Sequence, residues 1–268
     1  MRFAKQLPIG RTDLRFEVEV SRSRKKKEET ESKRKLYLGI RAIGVLALLT
    51  LGVMGWTLSN RDFNPRTIED TEHSPYHFKY PVLAIEFIQT PEQLNTILGT
   101  KDPEHNAREL RDEIRRDYFF IAAYALLYVA LSVLLAHRHQ RRWAVYLAWV
   151  GAICGIGAAL FDVKENIAIV NLLNAPTPDQ QTVSAIHFAA IVKWILSFIT
   201  AAILALNFYA SDGWLLLTGI ALRLTAVLGL VGLWYLPILP FAVLPLLPAL
   251  LVLLIRGLFQ PQKFIEEL

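Results

Sequence analysis

The chain has 268 residues, of which 53% are hydrophobic, a mean hydropathy of +0.34 and a formal net charge of +5. The apolar residues fall in long blocks near the roughly 20 residues needed to cross a bilayer, which excludes an ordinary soluble domain. Cys154 is the only cysteine and sits inside an apolar run, which excludes an intrachain disulfide and a thiolate metal cluster.

Residues 1–35 form a polar, basic segment with twelve Lys/Arg against six Asp/Glu. The basic region is too long, and the next apolar run too poor in small residues at its end, for a cleavable signal peptide. Lys25-Lys26-Lys27 and Lys33-Arg34-Lys35 abut that run. They read as a topology signal and a contact for anionic lipid, worth about 1 kcal/mol per basic residue near the surface. No aromatic residue interleaves the basic run, so nucleic acid is not an expected partner. The stretch from Leu14 to Val20 alternates like a short strand.

The first span covers 36–58, with Arg41 close enough to its basic end to snorkel. Residues 59–116 are polar and carry eight Lys/Arg against eleven Asp/Glu, opposite in sign to the N-terminus. Thr90-Pro91-Glu92-Gln93 opens a short helix that ends near Gly99, and Asp102-Pro103-Glu104 opens a second. The second carries Ala107, Leu110, Ile114 and Tyr118 on one stripe and should run unbroken into the second span, 119–136. The stretch from Val82 to Ile88 is too short to cross and reads as a strand or a membrane-surface segment.

A basic turn, His137-Arg138-His139-Gln140-Arg141-Arg142, leads to the third span, 143–161, whose helix can continue to Leu173 before Ala175-Pro176-Thr177-Pro178-Asp179 ends it. The two histidines are two residues apart and so off a common helical face, a charge signal and not a metal site. The fourth span covers 183–206 and the fifth 214–235, after a polar turn at Ser211-Asp212-Gly213. The sixth covers 241–258 with Pro245 and Pro248 inside it, where a kink is expected. The tail, 260–268, is short and mixed in character. The expected fold is all-α: an integral membrane bundle of six transmembrane helices, with a small extracytoplasmic segment between the first two and a five-helix region over 117–259. The basic residues place both termini in the cytoplasm.

Asp162, Glu165 and Asn166 stand at i, i+3 and i+4, on one helical face that continues back through Ala158, Gly155 and Gly151. Small residues let a neighbouring helix approach, so this face should point into the bundle. Lys193 lies about ten residues into its span, where an unpaired charge costs roughly 2.5–3.5 kcal/mol. Ala189, Ala190, Ser197, Thr200 and Ala201 share its face. These residues define a candidate intramembrane polar cluster of Asp117, Tyr124, Asp162, Glu165, Asn166 and Lys193. The alternative starts the fourth span nearer His187 and makes Lys193-Trp194 an interfacial anchor. Arg223 is a secondary candidate: a carbonyl freed by Pro245 or Pro248, inward snorkelling, or a bound anion would each answer its charge. Gly151-Ala152-Ile153-Cys154-Gly155 suits packing within the chain, with dimerisation as the sharper reading. No zinc-protease, Walker, nucleophile-elbow or dinucleotide motif occurs, so no cofactor or metal is expected and no catalytic residue is assigned.

Asp117-Tyr118-Phe119-Phe120-Ile121-Ala122-Ala123-Tyr124, then Phe161-Asp162-Val163-Lys164-Glu165-Asn166, then Lys193-Trp194, resembles a pattern in uncharacterised bacterial integral membrane proteins, over roughly residues 80–206. The resemblance implies a bacterial inner-membrane protein with a four-helix core and brings no activity with it. Three functions follow from these readings. The first is a non-enzymatic protein that binds lipid or a partner through the bundle. The second is a small transporter using the Asp/Glu–Lys cluster for protons or a charged solute. The third is an intramembrane lipid-modifying enzyme with Asp162 or Glu165 as acid or base.

Overall fold

The structure is a computed structural model that describes residues 11–59, 68, 70, 72–138, 141–208 and 211–268, with side chains of the first helix described over 24–56. His139 therefore lies outside the described residues. The chain divides into two compact units, residues 1–39 and 40–268.

Among the described residues ten α-helices follow one another: α1 (Arg11–Ser59), α2 (Pro81–Glu86), α3 (Glu92–Leu98), α4 (Pro103–Arg138), α5 (Arg142–Asn174), α6 (Gln180–Asn207), α7 (Gly213–Trp234), α8 (Leu239–Ala242), α9 (Leu246–Leu254) and α10 (Pro261–Glu267). No strand occurs among the described residues. Six helical segments are long and apolar enough to cross a membrane: Arg24–Trp56, Pro103–Arg138, Arg142–Asn174, Gln180–Leu206, Gly213–Trp234 and Leu236–Phe259. The chain is a multi-pass α-helical membrane protein. At 36 residues α4 is about 54 Å long, well beyond the roughly 30 Å hydrocarbon core, so it carries its polar first turns outside the bilayer.

In the first unit, the described side chains of α1 form exposed i,i+4 ion pairs, Arg24 with Glu28, Lys33 with Glu29 and Lys35 with Glu31. The stretch from Leu14 to Val20, which alternates like a strand but has no partner for one nearby, is part of α1. A lone strand leaves every backbone N–H and C=O without a partner, whereas a helix satisfies them locally.

In the second unit, α5 shows how composition sets the packing. Its outward face carries Trp143, Tyr146, Trp149, Ile153, Ile156, Leu160 and Ile167, all large, apolar and exposed, as a lipid-facing surface requires. Its buried face is Ala144, Ala148, Gly151, Ala152, Gly155 and Ala158, then Asp162, Glu165 and Asn166. A Cβ on Gly155 would sit 2.9 Å from Tyr128 Cβ, and one on Gly151 would sit 3.1 Å from Ile203, so both glycines are filled by neighbours within the chain. Gly229 on α7 is tighter still, with Phe198 ring atoms 2.3 Å from the position of its missing Cβ. Gly44 and Gly257 likewise let their two backbones meet.

Of the two readings of the stretch from Val82 to Ile88, a strand or a membrane-surface segment, the strand does not form. Val82, Leu83, Ala84, Ile85 and Glu86 form helix α2, started by Pro81 in its first turn, where a missing N–H has no consequence. Ala84, Ile85, Phe87 and Ile88 are fully buried. Phe78 and Phe87 meet at a tilt, 5.6 Å between ring centroids. Gln180 Nε2 donates to Gln89 O at 2.9 Å, and Arg111 Nη1 donates to Asn174 Oδ1 at 2.6 Å. These bonds tie α2 to α6 and α4 to α5 at one end of the bundle.

The sixth span is not a kinked single helix. It is a 3₁₀ turn (Leu236–Ile238), α8, a turn, α9 and a π-helical stretch (Ile255–Phe259). Pro245 precedes α9 and Pro248 stands in its first turn, so each proline starts a helix where it needs no donor. The tail folds back as α10. Asp212 N donates to Glu267 O at 2.9 Å, and Glu267 Oε2 accepts from Trp214 N and Leu215 N at 3.2 Å, capping α7. Arg256 pairs with the same carboxylate and lies 5.0 Å from the Trp214 ring centroid.

Candidate functional site

Two apolar clusters fill the second unit. One joins Ile85, Phe87 and Ile88 to Leu110 and Ile114 of α4, Ile169 and Leu172 of α5, and Val183 and Ile186 of α6. The other joins Ile40 and Ile43 of α1 to Leu127, Leu131 and Leu135 of α4, Ala148 of α5, Leu204 of α6 and Leu222 of α7. Along α4, α5 and α6 a polar layer stands between them.

Lys193 is the hub of that layer. It is 6% exposed, so its side chain is buried among its neighbours in the bundle. Its Nζ lies 2.9 Å from Glu165 Oε2, 3.2 Å from Asp162 Oδ1 and 3.2 Å from Glu86 Oε2, and donates to Glu165 Oε1 at 3.0 Å. An ammonium has three protons, and here three carboxylates surround it. Around this centre, Tyr124 donates its hydroxyl to Asp162 Oδ2 at 2.8 Å. Asn166 Nδ2 donates to Asp117 Oδ2 at 2.8 Å, and Trp194 Nε1 donates to Glu86 Oε2 at 2.9 Å. Asp117, Tyr124, Asp162, Glu165, Asn166 and Lys193 are thus brought together in one layer by α4, α5 and α6.

Glu86 is the member that sequence reasoning missed. It sits on α2, outside the spans, and is 8% exposed. Burial pushes its carboxyl above the ordinary carboxylate range, against the pull of the Lys193 ammonium, and the negative charge of Asp162 adds to the rise. The signal was present: Glu86 is the one charged residue in the otherwise apolar stretch from Val82 to Ile88.

Arg223 stands half-buried on α7 and is not among the residues that line the cavity described next. His187 is half-buried with its ring edge toward Phe87 at 6.0 Å.

The polar layer forms one end of a cavity of about 210 Å³. Glu86, Asp117, Tyr124, Asp162, Asn166 and Lys193 line that end. Leu127, Leu131, Leu204, Leu222, Leu246, Leu250 and Leu253 line the other. Four carboxylates thus face one ammonium. A buried site does not hold three uncompensated negative charges, so protons or an external cation supply the difference. Among the described residues no set of His, Cys, Asp and Glu is arranged for a metal ion; the centre of the three carboxylates is occupied by the Lys193 amine. The layer's carboxylates, with the Tyr124 hydroxyl on Asp162, can bind a cation and hold protons.

Comparison with protein-family models, with curated proteins and with solved structures finds no match to this chain.

Proposed function

We propose that the protein is a non-enzymatic membrane protein that binds a lipid-class amphiphile within its bundle, the Asp/Glu–Lys cluster holding the helices in register. One observation carries this reading: a single cavity that is polar and charged at one end and leucine-walled at the other. Such a gradient complements a molecule with a polar head and an apolar chain. A protein partner would need an exposed patch, whereas this surface is internal. Native mass spectrometry of the protein released from nanodiscs tests the reading. The wild type retains a lipid-mass adduct, and Leu246→Trp, which fills the apolar end, loses it. A wild type without any adduct, or an adduct unaffected by Leu246→Trp, refutes it.

The setting belongs to the same proposal: the inner membrane of a bacterium, with both termini cytoplasmic and the basic N-terminal segment against anionic lipid. The Lys/Arg clusters at Lys25-Lys26-Lys27, Lys33-Arg34-Lys35 and residues 137–142 support the orientation, and the resemblance over residues 80–206 supports the bacterial membrane.

A second reading, a proton- or cation-coupled transporter, is favoured by the excess of carboxylates over the single lysine. It requires solute flux in proteoliposomes that depends steeply on pH and is lost in Asp162→Asn.

A further inference from the structure

Lys193 is not available to an anionic ligand. Its amine is already surrounded by Glu86, Asp162 and Glu165 within 3.2 Å. The carboxylate of Asp117 is in the opposite position. It lies in the cavity wall, accepts the Asn166 amide at 2.8 Å and, among the described residues, forms no ion pair. The head end therefore offers an anionic oxygen and no spare positive charge. Phe120, Tyr124 and Tyr128 follow Asp117 along α4 and line the same cavity. Phe120 and Tyr124 meet edge-on at 5.4 Å, and Tyr124 and Tyr128 at 5.6 Å. Ring faces attract cations and give anions nothing.

A second observation, independent of the acids, points to an occupant. Thr225 on α7 is 2% exposed, lines the same cavity, and its hydroxyl has no hydrogen-bond partner. A threonine in a helix ordinarily returns its hydroxyl to the carbonyl one turn back, as Thr50 does to Leu46 O at 2.8 Å. The Thr225 hydroxyl makes no such bond. Gly229 packs on Phe198, so Thr225 stands one turn deeper, about 13 Å of helical rise from the level of Lys193. A buried hydroxyl left open at that depth is a contact waiting for a group carried by a ligand chain.

We propose that the cavity selects an amphiphile with a protonated amine head, the ammonium seated on Asp117 at the start of the row of rings and the chain running along the leucine wall past Thr225. This deepens the amphiphile-binding reading and rests on it. An eight-carbon chain common to three different head groups serves as the probe, so that only the head varies.

The test is calorimetric titration of the full chain in nanodiscs with octylammonium, octan-1-ol and octanoate, subtracting empty nanodiscs. Octylammonium is expected to bind saturably and at least about tenfold tighter than octan-1-ol, with octanoate weaker than both. Asp117→Asn is expected to bring octylammonium down to the affinity of octan-1-ol, leaving octan-1-ol unchanged. Leu246→Trp, which leaves the acids in place, is expected to abolish saturable binding of both and keeps the test open if Asp117→Asn does not fold. Equal binding of octylammonium and octan-1-ol, or tighter binding of octanoate, overturns the amine assignment while amphiphile binding stands. No saturable binding of any probe by a protein that retains a lipid adduct also overturns it. No binding together with no adduct removes both.

Discussion

Replacing Lys193 by Met deletes the cation and leaves Glu86, Asp162 and Glu165 facing one another. At an effective dielectric of about 20, each contact at 2.9–3.2 Å is worth about 5 kcal/mol of attraction. The three oxygens all lie within 3.2 Å of Nζ, so any two are no more than about 6.4 Å apart and repel by at least about 2.6 kcal/mol if both are ionised. Attraction wins with the ammonium present; repulsion alone remains without it. Structural relaxation and proton uptake reduce the loss to the range found when one partner of a buried pair is removed, about 3–5 kcal/mol. For a chain of this size that is roughly 6–20 °C in unfolding midpoint. The assay is thermal unfolding in detergent of wild type, Lys193→Met and the double variant Lys193→Met/Glu165→Gln, at pH 8 and pH 5. Lys193→Met should lose most at pH 8 and less at pH 5, where protons can replace the missing ammonium. The double variant should recover part of the loss at pH 8. A Lys193→Met protein as stable as wild type at pH 8, or one that loses more at pH 5, would falsify the account.

Glu86 gives a sign that can be checked separately. Its carboxyl is raised in the folded state by burial, so the folded protein holds a proton there that the unfolded chain releases near pH 4.5. Stability from this group is present below that pH and lost as pH rises through the raised value; Glu86→Gln should therefore flatten the decline in unfolding midpoint between pH 5 and pH 8. Gly229→Ala places a methyl where the Phe198 ring stands, and should lower stability by about 1–3 kcal/mol while Gly39→Ala, which meets no atom within 4 Å, should not. Glu267→Ala removes the cap of α7 and the counter-charge of Arg256 at once and should cost about 3–5 kcal/mol, read as a lower unfolding midpoint, with Arg256→Met/Glu267→Ala less affected than Glu267→Ala alone.

What could be read from the chain without coordinates tracks how local the cause is. The α5 face from Gly151 to Asn166 follows from spacing alone, because residues three and four apart share a side of any helix, and small residues on that side mark a close neighbour. The extension of α4 from its polar first turns into the membrane follows from Asp102-Pro103-Glu104, and the Asp102 carboxylate does accept His105 N at 3.0 Å. Glu86 was not readable in the same way. Seven residues with apolar character are compatible with a strand or a helix, and the choice was made by Pro81 and by packing against α4, α5 and α6. The return of α10 to α7 was invisible for another reason: Glu267 finds its partners 52 and 53 residues away, at backbone N–H groups that carry no side-chain signature. The breaks in the last span belong to the same class, since Pro245 and Pro248 reveal where a helix begins only once it is known which turn holds them.

The origins of the four carboxylates explain why the layer is more than an ion pair. Asp117 comes from α4, Asp162 and Glu165 from α5, Glu86 from α2, and the cation from α6. A pair made by two neighbouring helices would fix only their mutual register. Here Trp194 and Lys193, adjacent on α6, both reach Glu86, so the α2 segment outside the spans is held by the same two residues that close the polar layer. Undocking α2 would remove one of three carboxylates from the ammonium and expose the indole nitrogen's acceptor at once. The remaining two acids would still hold Lys193, since neither Asp162 nor Glu165 depends on α2 for its contact. The α5 acids thus hold Lys193 through contacts of their own, while α2 contributes Glu86 to the head end of the cavity.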